Sequence, residues 1–555
     1  MDRTNKPAKK RAPAGRKPSN LVHVYDTTLR DGSQGEGVNF FLQDKVRLAR
    51  MLDDLGVHYV EGGWPGSNPK DIEFFKAMRD NRLRNAKLVA FGSTRRAGNK
   101  AASDANLANL LKAGADAAAI VGKSWDLHVR DALRVSYEDN LDMIASSVAY
   151  LKKRLEEVFF DAEHFFDGFK HNDEYALACL GAALGAGADA VVLCDTNGGS
   201  MVHEITAVMD RVRTEFPDAR IGIHCHNDAG MAVACTVEAV MHGADMVQGC
   251  MNGFGERTGN ADLCSVVPVL ELRCGKRCLG SKNLRKLTNA SRFTYEMANM
   301  GRRDQQPFVG DSAFAHKGGL HVSAMARNDL TYEAFAPAAV GNTRRILISE
   351  LAGRASITAR YPKLSAHPDK QKAVLDEIMR LENAGFAFEN ADASFELLVM
   401  RILGVYEPAF QLLGFRASTE ERKDSSVMSE ASVKLRIGEH LLHTVAEAKH
   451  GPVAALDLAL RKALVHVYPF FHNLRLSDYR VHIVNAQAAV DASVRVVIQS
   501  GEGDDSWGTV GVSENILNAS CQALVDSFQY MILRHGGKKA PRRRSHLHQF
   551  DEETG

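Results

Sequence analysis

No stretch of this chain stays apolar for the roughly 20 residues that a bilayer-crossing helix needs, so nothing in it asks for a membrane partner. An excess of one charge is also missing. Lys and Arg number 69 against 68 Asp and Glu, a net charge of +1, which removes the basic footprint of a nucleic-acid binder. Cysteine is sparse: nine scattered residues, an odd number, with no C-x-x-C pair. That excludes a disulfide scaffold and fits a reduced cytoplasm. No G-x-G-x-x-G follows the first strand, which argues against an open dinucleotide-binding sheet.

What is there is a chain of 555 residues, 45% apolar and 25% charged, the balance of a soluble protein with several domains. Residues 1–20 carry seven Lys/Arg against one acid, and 536–555 are similarly polar. Neither tail has the apolar periodicity to pay for order, so both read as disordered.

Between the tails one grammar recurs. "DLGVHYVEGG", "KAGADAAAIVG", "GAGADAVVLCD" and "HGADMVQGC" each place a glycine (Gly56, Gly114, Gly187, Gly243) at a helix end, then a β-rich apolar run. Such glycines close a helix and start the next strand of a parallel α/β fold. Leu21–Asp26, "KLVAFGST", "VFFDAEHF" and "RIGIHCHND" supply four more strands. Eight βα units in ~250 residues predict a closed (β/α)8 barrel, a TIM barrel, over 21–290.

That fold places reactive groups where strands end, at the C-terminal mouth. The strand ends read Arg30-Asp31, Glu61, Ser93-Thr94, Lys123, Glu163, Asp195-Thr196, His224-His226-Asn227-Asp228 and Asn252. His224 and His226 are two apart, so a strand would turn both imidazoles to one side. Barrel closure brings strand 1 and the loop "NGFGERTGN" near them. Asp31, His224, His226 and Asn260 then form a mixed O/N set suited to a divalent ion (Mg, Mn, Zn or Co) with open positions. Two open positions could chelate a 2-oxo acid, and Arg30 could stabilise the charge that develops on its oxygen. The alternatives are two hydrogen-bonded histidines without metal and a purely structural Arg30–Asp31 pair.

"DTTLRDGSQGEG", "HCHND" and "NGFGERTGNADL" together resemble the metal-dependent Claisen-condensing synthases, the isopropylmalate/homocitrate synthase family, from Leu21 to about Leu533. The resemblance implies an acyltransferase that joins acetyl-CoA to a 2-oxo acid. "EGGWPGSNPKD", "FDAEHFFDGFK" and "LCDTNGG" look most like its long bacterial citramalate-forming branch, which implies pyruvate; 2-oxoisovalerate, for isopropylmalate, is the alternative. On matching positions it implies Glu163 as acid/base (or as a mere buttress of Arg30) and Thr196 as a substrate-carboxylate partner. Asn252, Gly253, Gly255 and Glu256 would lie along acetyl-CoA. In a helical linker subdomain, 291–390, "AFAHKGGLHVSA" offers His316 and His321, of which His321 matches the family's proton-transfer histidine. The following segment has Arg344 and Arg345 but no Tyr.

Over 391–535 two segments beginning Ala-Ser-Val, at Ala431 and Ala492, align as a repeat of strand, strand and amphipathic helix, predicting a pseudo-symmetric α+β domain. The resemblance implies a regulatory domain in a homodimer, with isoleucine as a possible effector and isoleucine biosynthesis as the context. "HGPVAALD" and "SENILNAS" offer helix N-termini to a carboxylate; a purely dimerising domain is the alternative. An amino-acid sensor on a retired barrel would have broken ligand motifs, yet Arg30, Asp31, His224, His226 and Asn260 are all present.

Overall fold

The computed structural model describes residues 20–349, 353–421, 427–484, 492–503 and 505–536. The tails expected at 1–20 and 536–555 lie outside these residues apart from Asn20 and Gly536.

The recurring grammar produces eight parallel strands: β1 (His23–Asp26), β2 (Tyr59–Gly63), β3 (Lys87–Ser93), β4 (Ala117–Lys123), β5 (Glu157–Glu163), β6 (Ala190–Asp195), β7 (Ile221–Cys225) and β8 (Met246–Gly249). They pair in chain order and β1 closes on β8, giving the expected closed barrel. Gly56, Gly114, Gly187 and Gly243 have φ of 88°, 71°, 96° and 102°, left-handed geometry that costs a residue without Cβ least. Between strands, amphipathic helices such as Leu42–Leu55 bury one face, here Val46, Leu48, Leu52 and Leu55.

Side chains alternate along each strand, and the inward set forms a core separate from the outer one. Tyr25, Tyr59 and Phe159 pack ring against ring at 5.1–6.0 Å between centroids, with Val89, Ala117, Ala119, Val192 and Met246 around them. Two residues further along the same strands the inward positions turn polar. Glu61 follows Tyr59, Asp161 follows Phe159, and Gln248 follows Met246, all buried. The apolar plug therefore carries a polar layer toward the C-terminal mouth. β7 ends at Cys225, short of the expected "RIGIHCHND" strand and just before His226. His226 is held instead by an antiparallel bridge to Asn260 in the returning loop, which keeps it extended beyond the strand.

The chain divides into two compact units. One comprises the described residues up to Phe314 with Ala334–Arg344; the other comprises Ala315–Glu333 and the described residues from Arg345 onward. In the second unit β9 (Ala315–His316) pairs with β10 (Arg345–Ile346), and helices run over Gly319–Met325, Arg354–Arg360, Pro368–Asn383 and Asp392–Leu403. The repeat follows, with one strand more per copy than the sequence suggests. β11 (Gln411–Glu421), β12 (Val427–Ile437) and β13 (His440–Ala448) precede helix Pro452–Leu464. β14 (Arg475–Ile483), β15 (Val494–Glu502) and β16 (Asp505–Ser513) precede helix Ile516–Arg534. β11 and β14 are edge strands, mostly exposed, so burial imposes no clean alternation on them. The central β12 and β15 bury Val433 and Leu435, and Val496 and Ile498.

The two repeat helices begin differently. Asn515 caps the second with its own side chain, accepting from Leu517 and Asn518 N–H, so those amides are already engaged. The first starts at Gly451 without a side-chain cap. No described helix is long and apolar enough to cross a membrane.

Candidate metal centre and active site

β1 ends in a tight corner. The Asp26 carboxylate accepts from the N–H and O–H of Thr28 at 2.9 Å each, turning the chain so that Arg30 and Asp31 stand at the mouth. Arg30 Nε donates to Glu61 Oε1, and Arg30 Nη2 lies 3.7 Å from Asp31 Oδ2. Its guanidinium rests 3.9 Å from the centroid of the Phe91 ring. Burial alone would lower the pKa of Arg30, but Glu61 and Asp31 outweigh it and hold the cation firmly. Glu61 also accepts from Tyr25 O–H at 2.6 Å. The sequence shows Glu61 only as one strand end among eight; the fold makes it the main anchor of Arg30.

Beside Arg30, Asp31, His224 and His226 converge. Their potential ligand atoms lie within 4.8 Å of one another; Asp31 Oδ2 is 3.3 Å from His224 Nε2 and 3.9 Å from His226 Nε2. All three are buried. Burial pushes Asp31 toward the neutral acid, yet Arg30 and the two histidines hold its carboxyl well below the usual range. Burial and the neighbouring His224 bring His226 down to about 4, so it stays a neutral imidazole, the form that binds metal. For His224 burial is outweighed by Asp31, and its pKa rises.

A divalent ion fits these residues on an independent observation. Asn260 Oδ1 and His226 Nδ1 are buried without a hydrogen-bond partner among the described residues, and buried polar atoms rarely stay so. Asn260 is bridged to His226 through the backbone. Its Nδ2 is 3.3 Å from both Cys250 Sγ and Phe254 O, which leaves Oδ1 as the unspent acceptor. Oxygen and imidazole donors of this kind suit the divalent ions expected from the sequence.

Glu163 ends β5 in register with Lys123 of β4 and forms an ion pair with it. Its carboxylate is thus paired with Lys123, while Arg30 takes Glu61. Thr196 Oγ1 accepts the backbone N–H of His164, the residue after Glu163, at 2.9 Å. His164 has φ of 54°, a left-handed geometry that costs a non-glycine residue energy and is concentrated at functional sites.

The loop after β8 folds back on itself. A Cβ on Gly259 would lie 1.9 Å from Gly253 O, and one on Gly255 would lie 2.5 Å from Asn260 Nδ2; only glycine permits this approach. Arg257 clamps the loop, donating to both Asp228 oxygens and to Thr196 O at 2.7–2.9 Å. Within it Asn252 turns inward: Oδ1 accepts from Ser291 Oγ and Gln306 Nε2, and Nδ2 donates to Ser291 O. Glu256 is exposed beside Arg257, 3.7 Å away. His321 and His316 belong to the second unit. There His321 stacks on Tyr332 at 4.0 Å, and His316 lies 3.1 Å from the buried Glu333.

Three family profiles cover most of the chain: HMGL-like over residues 21–293, homocitrate synthase post-HMGL domain-like over 308–384, and LeuA allosteric (dimerisation) domain over 389–532. Among similar proteins, the (R)-citramalate synthase of Geobacter sulfurreducens is 50% identical over 92% of this chain and 98% of its own length. That of Aquifex aeolicus is also 50% identical, over 92% and 98%. That of Synechocystis is 45% identical over 91% and 95%. At this identity over more than nine tenths of both lengths, the chain belongs to the (R)-citramalate synthase family.

Proposed function

We propose that this enzyme condenses acetyl-CoA with pyruvate to give (R)-citramalate and free CoA. The observation that carries the reading is the convergence of Arg30, Asp31, His224 and His226 at the barrel mouth, in a chain whose similar relatives bear that name.

In this reading Asp31, His224, His226 and Asn260 hold a divalent ion: Mg, Mn, Zn or Co. When bound, the ion supplies Lewis-acid polarisation of the 2-oxo acid's carbonyl. Thr196, whose oxygen already accepts from His164, has its hydroxyl hydrogen to donate to the pyruvate carboxylate. Glu163 takes a proton from the acetyl methyl. The methyl carbon then bonds to C2 of pyruvate, and Arg30 stabilises the charge arriving on the carbonyl oxygen. A proton completes the new hydroxyl, with His321 as the second proton-transfer group. Water then cleaves the thioester, leaving a carboxyl group and the CoA thiol. Gly253, Gly255 and Glu256 flank acetyl-CoA, while Asn252, engaged with Ser291 and Gln306, braces the loop from inside.

The wider assignment follows from it. Residues 21–290 carry the chemistry, 291–390 contribute through the linker, and 391–535 regulate and dimerise, with isoleucine as the effector. The enzyme is then a cytoplasmic homodimer at the pyruvate-derived entry to isoleucine synthesis. All nine cysteines are unpaired, which suits that compartment.

The test is CoA thiol release from acetyl-CoA with added metal, pyruvate against 2-oxoisovalerate, with and without isoleucine. Pyruvate-dependent release of the (R) product is expected. Release no greater than background with either acid overturns the reading; greater release with 2-oxoisovalerate makes isopropylmalate the product. Rates indifferent to isoleucine remove the effector assignment.

A further inference from the structure

We propose that Gln248 and Asp161 are positioning residues that select the tautomer with which His224 binds a divalent cation; this rests on the metal-site reading above. Three strands contribute. His224 of β7 is in register with Gln248 of β8, and Gln248 reaches across the barrel to Asp161 of β5. The contacts are His224 Nδ1 to Gln248 Oε1 at 2.9 Å and Gln248 Nε2 to Asp161 Oδ1 at 3.4 Å. All three side chains are buried, so water does not compete for these atoms.

A carboxamide has one accepting and one donating end. Asp161 Oδ1 is an acceptor whether the carboxyl is ionised or carries its proton on the other oxygen, so it draws the amide nitrogen toward itself. Gln248 Oε1 then faces His224, and Nδ1 must carry the ring hydrogen. The lone pair falls on Nε2, the nitrogen 3.3 Å from Asp31 Oδ2. With the amide reversed, its N–H2 group would meet Nδ1 and the ring hydrogen would move to Nε2. There it would donate to Asp31 and occupy the edge that a cation needs. Second partners of this kind fix imidazole ligands at metal sites. The neighbouring His226 has no such partner on its Nδ1 among the described residues, so the control falls on His224.

The test uses the metal-free full-length protein and Mn2+ alone, with free Mn2+ read by electron paramagnetic resonance. Wild type should bind and His224→Ala should not. Gln248→Leu should weaken the Kd about 10–100-fold. The pair Gln248→Glu with Asp161→Asn restores an acceptor toward His224 and a donor behind it, and should recover most of the loss. A circular dichroism spectrum and urea midpoint near wild type for Gln248→Leu show that its loss of affinity is not misfolding. A wild-type Kd in Gln248→Leu, or a double variant no tighter than Gln248→Leu, overturns the proposal and leaves the metal reading standing. Equal Mn2+ binding by wild type and His224→Ala would instead sink the metal reading, and the proposal with it.

Discussion

Replacing Glu61 by Gln would show what holds Arg30 at the mouth of the barrel. The two side chains meet in the buried polar layer, with Arg30 14% exposed and Glu61 not at all. At a charge separation of about 4 Å and an effective dielectric near 20, such a pair is worth about 4 kcal/mol. Gln keeps the shape and one acceptor, but Glu61 serves two donors, Arg30 Nε and Tyr25 O–H, and the amide nitrogen must face one of them. Asp31, 3.7 Å from Arg30, retains part of the attraction. The net loss should be about 3 kcal/mol, near the low end of what removing one partner of a buried pair costs. Urea unfolding followed by tryptophan fluorescence reads it. Trp64 packs on Phe91 at 5.5 Å, and Phe91 carries the Arg30 guanidinium on its face. Turnover should fall about a hundredfold as the electrophilic cation loses its fixed position. A barrel transition within about 0.5 kcal/mol of wild type, with unchanged kcat, would refute the reasoning.

Arg30→Lys should leave Mn2+ affinity near wild type and remove most turnover, because an ammonium cannot span Glu61 and the substrate oxygen as a planar guanidinium does; metal titration beside thiol release checks both halves. Gly259→Ala forces a Cβ 1.9 Å from Gly253 O at φ of 91°. It should cost more than about 1 kcal/mol and raise the acetyl-CoA KM, read by steady-state kinetics. At the opposite end of the barrel, burial, His23 and Arg220 bring His58 down to about 4, and its Nδ1 accepts Val24 N–H at 3.0 Å. The folded state favours the neutral ring, so this contribution is whole above pH 6.5 and is lost as pH falls toward 4, by about 3 kcal/mol. His58→Asn, which keeps an acceptor, should flatten that acid limb in urea midpoints measured from pH 7 to 4.5.

Much of this was legible in the chain because its causes are local. A glycine needed at positive φ after each of four helices, and apolar runs of strand length between them, specify a βα period whatever the final packing. The alternation in β12 and β15 likewise marks the repeat, while the exposed edges β11 and β14 carried no pattern to find. The polar strand ends, and the spacing of His224 and His226, mark the mouth and its candidate metal ligands as residues. Their partners were not legible. Arg30 meets Glu61 from 31 residues away, Glu163 meets Lys123 across 40, and His224 meets Gln248 across 24. Asn252, expected to flank a ligand, turns into Ser291 and Gln306. Which carboxylate faces which cation depends on the height at which neighbouring strands end, and that is set only when β1 pairs with β8 and the ring closes. The chain's local order therefore determined which chemical groups reach the rim, and closure of the barrel decided which of them touch.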